Sequence, residues 1–412
     1  MTSSSADIAI VGGGLVGASL AYALSSQGWK VAMLESVEPR AASQPSYDDR
    51  TLALADSSCQ ILTGLGLWPA ISENATPIRR VIVRELDGPG RVELDPAEHG
   101  LRQFGNIVEA RSFGAAMMGV LPKQKTLQSF VPATVSGLEN DQDGVRLNFN
   151  LDGSEHTLSA NLVVGADGAA SFVREAVGIS ASEHDYGQTA IVCNITPSQP
   201  HQGRAFECFT TTGPFAVLPH QGERCGLVWC LSSEEAQEKL ALSDDEFLAA
   251  AQARFGDELG DFIRLGRRSS YPLRQVRADR DTARRTILLG NAAHAIHPIG
   301  AQGFNLGLRD VAVLAELLAD VRRLKGDPGD ESLLREYHGW RRFDQSSTVG
   351  WSDALARLYS KPGPGASLLR TAGLVANRLI RPLRRQTASR AMGYHGRIPR
   401  LALGEPLEIE SS

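Results

Sequence analysis

The hydrophobic pattern opens with a run that does not alternate. Asp7-Ile8-Ala9-Ile10-Val11 reads as a short strand covered on both faces. A glycine turn follows, then helical spacing from Leu15 to about Gln27, then a second apolar run from Lys30 to Glu35. That order predicts a βαβ unit. Residues 76–104 break the pattern, with a strand from Arg80 to Glu85 among Gly-Pro turns and polar loops. Val131 to Leu151 alternates apolar and polar around Asp141-Gln142-Asp143-Gly144, the signature of a hairpin. Leu162-Val163-Val164 reads as another buried strand. Strand-like runs recur at 190–195, 205–210, 215–218 and 226–231, interrupted by one helix from Asp244 to Phe255. Thr286 to Leu289 predicts a strand and Gly303 to Leu324 a long helix.

This is an α/β chain in three parts. Residues 1–75, 105–185 and 275–345 are expected to form a discontinuous dinucleotide-binding domain of Rossmann type. Residues 76–104 and 186–274 form a mostly antiparallel substrate domain, and 346–412 a helical, basic C-terminal region. From Lys361 to Arg400 there are nine Lys or Arg and no Asp or Glu, and Leu368, Leu369, Ala372, Leu374, Val375, Leu379 and Ile380 recur at near-helical spacing.

Composition narrows the function. The 412 residues are 42% hydrophobic, enough for a substantial core. A net charge of −5 gives no global reason to expect nucleic-acid binding. No run reaches the length of a membrane span, and the first residues lack the basic segment of a secretory signal, so a cytoplasmic location is expected. Cys59, Cys193, Cys208, Cys225 and Cys230 form no CxxC pair; they read as reduced packing residues, and no metal site is expected.

Three stretches carry the chemistry. In the first, Gly12, Gly14 and Gly17 permit a tight strand-to-helix turn and close approach to a pyrophosphate, with Glu35 placed for a ribose diol. This stretch alone does not separate NAD from FAD. In the second, Gly165-Ala166-Asp167-Gly168, a carboxylate ends a strand; it suits ribose or ribitol hydroxyls, or a simple Asp-Gly turn. The third runs Gly290-Asn291-Ala292-Ala293-His294, then His297-Pro298-Ile299-Gly300-Ala301-Gln302-Gly303-Phe304-Asn305. Here Asn291 reaches a ribityl chain or pyrophosphate, Gly300 and Gly303 let backbone approach a flat ring, and the N–H groups of Gln302 to Asn305 open a helix.

Together these stretches resemble the class A FAD-dependent aromatic hydroxylases of the para-hydroxybenzoate hydroxylase fold. Within that class the chain is similar to the hydroxylases of ubiquinone biosynthesis. Asp49-Arg50-Thr51-Leu52-Ala53-Leu54, Gly203-Arg204-Ala205-Phe206-Glu207, Gly213-Pro214 with Leu218-Pro219, Leu227-Val228-Trp229-Cys230, and Gly307 with Asp310 carry the likeness over about residues 5–345. Two departures stand out: Asn291 where most of the class has Asp, and Gly300-Ala301 where Ala-Gly is usual. The resemblance implies FAD as cofactor and NAD(P)H and dioxygen as co-substrates. It implies oxygen transfer to the carbon para to the hydroxyl of a polyprenylated phenol, in its specific form a 2-polyprenyl-6-methoxyphenol. It places Arg50 at the cofactor, and Pro298 and His297 nearest the chemistry; Arg111 fits either a cofactor contact or a surface role. His294 and His297 fit either a base or a loop-holding role. Phe206, Phe209, Phe215, Leu218 and Trp229 are candidates for the substrate pocket. A bilayer-borne substrate suits attachment of the basic region 361–412 to the inner face of a membrane, or to a complex of biosynthetic proteins. Alternatives are an epoxidase or prenyl reductase of the same fold, a non-catalytic flavin-binding scaffold, and an NAD dehydrogenase.

Overall fold

The computed structural model describes residues 3–38, 50–86, 88–141, 144–210, 212–360 and 364–407. Asp49, the centre of the turn at Gln142-Asp143, Lys361 and the last five residues lie outside them.

The first sheet has eight strands, five of them parallel in the order Thr286–Leu288, Ser154–Gly165, Ser3–Val11, Val31–Leu34 and Leu127–Phe130, with the short antiparallel Thr282–Ala283 at the edge. The antiparallel strands Ala133–Asn140 and Val145–Leu151 extend from Ser154–Gly165. The sheet separates two cores, because alternate residues point to opposite faces. Ile8 and Ile10 join the helices Leu15–Ser26 and Gln302–Arg323 on one side. Ala9 and Val11 meet Leu147 and Phe149 on the other.

A nine-stranded sheet stands beside it, with the strands Ala181–Pro197, Arg204–Thr210, Gly213–Pro219, Cys225–Ser232 and Ser269–Ala278 near its centre. Arg80–Glu85 joins it, parallel to Arg204–Thr210. The helix Asp244–Phe255 closes one face. Two capping boxes, Ser232 with Glu235 and Ser243 with Glu246, start the helices Ser233–Ala241 and Asp244–Phe255. The first of these helices was not expected from the sequence.

Two further elements were not anticipated, except the second from residue 346 onward. Thr51–Ala55, Thr76–Pro77 and Gly105–Glu109 form a small separate sheet, and a 30-residue helix spans Glu331–Ser360. The basic region is helical over Pro364–Leu379 and Arg381–Ala391. Among the described residues no helix is long and apolar enough to cross a membrane. All five cysteines are buried and unpaired with one another.

Candidate active site

A cavity of about 790 Å3 runs from the glycine turn to the inner face of the nine-stranded sheet, within the range of about 300–1,000 Å3 that small molecules and cofactors occupy. It is bordered by the first residues of two helices, Leu15 and Val16 of one and Gly303 and Phe304 of the other. Neither helix has a side-chain cap or an acidic residue in its first turn. Their leading N–H groups and positive dipole ends are thus left for an anionic or electron-rich partner. At the turn there is no room for a side chain: a Cβ on Gly12 would overlap the Ala166 carbonyl.

Gly12, Gly14, Glu35, Arg50, Asp167, Asn291, Pro298, Gly303 and Phe304 all line this cavity, although the sequence spreads them over almost 300 positions. The Glu35 carboxylate already accepts the Gly13 N–H at 2.6 Å and the Val37 N–H at 2.8 Å. Asp167 accepts the Ser171 hydroxyl at 2.5 Å and the Val173 N–H at 3.0 Å, holding the turn as well as facing the cavity. Burial raises its pKa. Asn291 is exposed to the cavity.

Other candidates stand behind the wall. Gly17 packs against the Gly12 carbonyl and Ala166. Arg111 is half-exposed and paired with Glu109 at 2.6 Å. Gln302 donates to the Gly300 and Ala391 carbonyls at 3.1 Å. Asn305 is buried and uses its full amide inventory. It accepts the Ala55 N–H and the Ser58 hydroxyl, and donates to the Ala53 and Ala301 carbonyls. It clips the strand that brings Thr51 and Leu52 to the cavity onto the helix start. His297 is buried with Nε2 3.1 Å from Gln188 Oε1, and its Nδ1 accepts the Ile299 N–H at 3.2 Å. Burial pushes its pKa down to about 4. It holds the loop rather than facing the reaction space. His294 lies 2.6 Å from Asp310.

The substrate-pocket expectation needs the largest correction. Of the five candidates only Leu218 lines the cavity. Phe206, Phe215 and Trp229 face the opposite side, where Phe206 meets Phe255 edge-on at 5.1 Å, Trp229 meets Phe247 at 5.8 Å, and Phe215 meets Trp229 at 5.3 Å. Phe209 packs on Ile299. One step along a strand reverses the face. The cavity is therefore walled by the neighbours Pro214, Ala216, Val228 and Cys230, small enough to leave space.

The sequence stretch that carried Phe206 also carries a residue given no role there. Glu207 faces the cavity with the Gly300 peptide N–H against its carboxylate, and burial raises its pKa to about 7. Its signal was legible: a lone acid between apolar neighbours in a strand.

Residues 5–351 match the model of the FAD-binding domain family. Ubiquinone hydroxylase UbiL of Rhodospirillum rubrum is 40% identical, over 98% of this chain and 94% of its own. The 3-demethoxyubiquinol 3-hydroxylase of Escherichia coli is 31% identical, over 95% and 100%. Among solved structures, p-nitrophenol 4-monooxygenase PnpA from Pseudomonas putida superposes with a TM-score of 0.79 at 20% identity, over 96% of this chain and all of that one. The chain belongs to the FAD-binding domain family, as a class A flavoprotein aromatic hydroxylase of the ubiquinone-biosynthesis type. It is an FAD-dependent monooxygenase. The uncapped helix ends and the closed glycine turn fit that cofactor.

Proposed function

We propose that this enzyme hydroxylates a 2-polyprenyl-6-methoxyphenol at the carbon para to its hydroxyl in ubiquinone biosynthesis, with NAD(P)H as reductant and dioxygen as oxygen donor. One observation carries the reading: a single cavity joins the cofactor-holding turn to an apolar sheet face. Bound FAD supplies the reduction of dioxygen and the transfer of one oxygen atom. The protein's residues do the rest. The free N–H groups of Leu15 and Val16 would hold the pyrophosphate, and Glu35, whose Oε2 accepts only the Gly13 N–H, would take a ribose hydroxyl. Asp167 and Asn291 would face the ribityl region and Arg50 the ring, and the N–H groups of Gln302 to Asn305 would take the pyrimidine edge. Pro298 stiffens the loop opposite the substrate, and Leu218, Ala216 and Val228 exclude water from it. The division into the three sequence regions belongs to the same proposal, with 76–104 and 186–274 as the substrate domain and 186–274 supplying the cavity wall.

The test is the lipid extract of cells lacking the gene. A precursor without oxygen at the para carbon should accumulate, and purified enzyme should oxidise NAD(P)H when given that precursor. Accumulation of a para-oxygenated compound would refute the substrate assignment.

We further propose that the C-terminal helices rest on an anionic lipid surface. Where they meet, Val375, Leu379, Ile380 and Leu383 are exposed, Leu379 at 73%, beside the exposed Arg378, Arg381 and Arg385. Other basic residues of the region serve the fold: Arg370 pairs with buried Glu85 at 2.9 Å and Arg384 with Glu98 at 2.9 Å. Each surface Arg contributes about 1 kcal/mol near such a membrane. Leu379→Asp with Arg381→Gln should abolish pelleting with phosphatidylglycerol vesicles; unchanged pelleting would end the idea. Point changes serve better than truncation, because Leu401 is fully buried and Tyr394 bonds Asp56 at 2.5 Å.

A further inference from the structure

The inner face of the nine-stranded sheet carries one row of facing residues across four strands. Glu207 lies opposite Ala216, Ala216 opposite Val228, and Val228 opposite Val192, and all four line the cavity. Three are apolar and one is a carboxylic acid. A carboxyl group in such a wall is costly unless it has a partner. The donor facing it is the Gly300 peptide N–H, from the loop that also brings Pro298 and Ala301 to the cavity. The ionisable groups around Glu207 are the Cys208 and Cys230 thiols, both held protonated by burial. Among the described residues no cation sets its charge. The acid stands where the apolar substrate wall meets the loop on the cofactor side, with capacity for one more hydrogen bond.

We propose that Glu207 is a catalytic residue that accepts the proton of the substrate's phenolic hydroxyl and, by its charge, excludes rings bearing an anionic substituent. The inference rests on the reading of this cavity as a phenol hydroxylase site. The phenol O–H bond breaks, its proton passes to a Glu207 oxygen, and the electron pair stays on the ring oxygen. The added density reaches the para carbon, where the oxygen atom arrives. Once oxygen has joined the para carbon, the C–H bond there breaks and its proton leaves with the second oxygen atom of dioxygen as water, while the proton on Glu207 returns to the ring oxygen, so the acid ends the step as it began. A base works best when its pKa lies near the working pH, and the environment of Glu207 brings it to about 7.

The experiment uses purified holoenzyme and a short-chain 2-methoxy-6-prenylphenol, comparing wild type with E207Q and E207D. Wild type should show kcat rising with pH through a midpoint near 7. E207Q should keep its FAD, read from visible absorbance, lose that limb and fall about 100-fold or more in kcat, the least that positioned acid–base catalysis contributes. E207D should retain the limb at lower kcat. In direct binding, 4-hydroxy-3-methoxybenzoate should bind E207Q at least about 10-fold tighter than wild type, a gap of 1.4 kcal/mol. An E207Q enzyme that keeps the limb, equal binding of the anionic ring by both forms, or loss of the limb in E207D as well would each overturn the proposal. Absence of phenol-stimulated NAD(P)H oxidation in wild type would instead strike the underlying functional reading.

Discussion

Ala301 sits at a φ of +52°, and Gly300 just before it at +67°. Both lie in the left-handed region, which a side chain reaches at a cost of about 1–2 kcal/mol. The reversed order of these two residues, visible in the sequence, thus puts a methyl group where glycine would be relaxed. Nothing crowds Gly300, so backbone conformation, and not space, is its constraint. Replacing Ala301 by Gly relieves the strain but frees the unfolded chain, which costs about 0.4–1 kcal/mol. The expected net is a stabilisation of about 0.5–1 kcal/mol, read as a higher urea midpoint at saturating FAD. A lower midpoint would mean that the methyl group contributes packing that outweighs the strain.

At the scale of elements, the sequence was most legible where periodicity and glycine chemistry agreed. The strand Arg80–Glu85 and the helix Asp244–Phe255 fall at their expected ends. Aromatic side chains misled, because Phe206, Phe215 and Trp229 gain more by packing under a helix than by facing a cavity that must stay open. The first half of the helix Glu331–Ser360, ahead of the region expected to be helical from 346, was missed for a different reason. Its buried face carries Arg341, Asp344, Thr348 and Ser352 beside Tyr337 and Trp340, so no apolar stripe marks it. Those polar residues meet charges from other segments. Arg341 binds Asp310 at 2.7 Å and Asp344 at 2.6 Å; Asp344 also takes Arg309 at 2.8 Å and His395 at 2.8 Å. Asp310 in turn accepts the Gly290 N–H at 3.1 Å, and its burial is outweighed by His294 and Arg341, which hold its pKa down to about 2. The network therefore props the loop that carries Asn291. Arg341→Met should cost about 3–5 kcal/mol, as removing one member of a buried ion pair does, and should weaken FAD retention. Arg342→Gln, the next position and an exposed one, is the control that should change neither. Equal FAD retention in both would confine the network to the fold.

For the whole molecule, a buried histidine in the reaction loop and a half-buried acid facing that loop impose opposite pH dependences. His297 titrates near 4 when folded and near 6.5 when unfolded. Its contribution is complete above pH 6.5 and is lost as the pH falls toward 4, because the unfolded chain gains the proton first. Glu207 titrates near 7 when folded and near 4.5 when unfolded. Its contribution is complete below pH 4.5 and is lost as the pH rises through 7. Each shift of about 2.5 pH units corresponds to at most about 3 kcal/mol, so between pH 4.5 and 6.5 the two slopes largely cancel. The carboxyl group in the cavity wall is then a cost to folding at neutral pH that the protein carries at its reaction site. Glu207→Gln should raise stability by up to about 3 kcal/mol at pH 8 and by nearly nothing at pH 4.5, measured by chemical denaturation at a fixed excess of FAD. It should also expose the falling acid limb due to His297. A constant difference between the two proteins across that range would show that Glu207 is not held neutral by its surroundings, and that the charge balance across the loop is not built from these two groups.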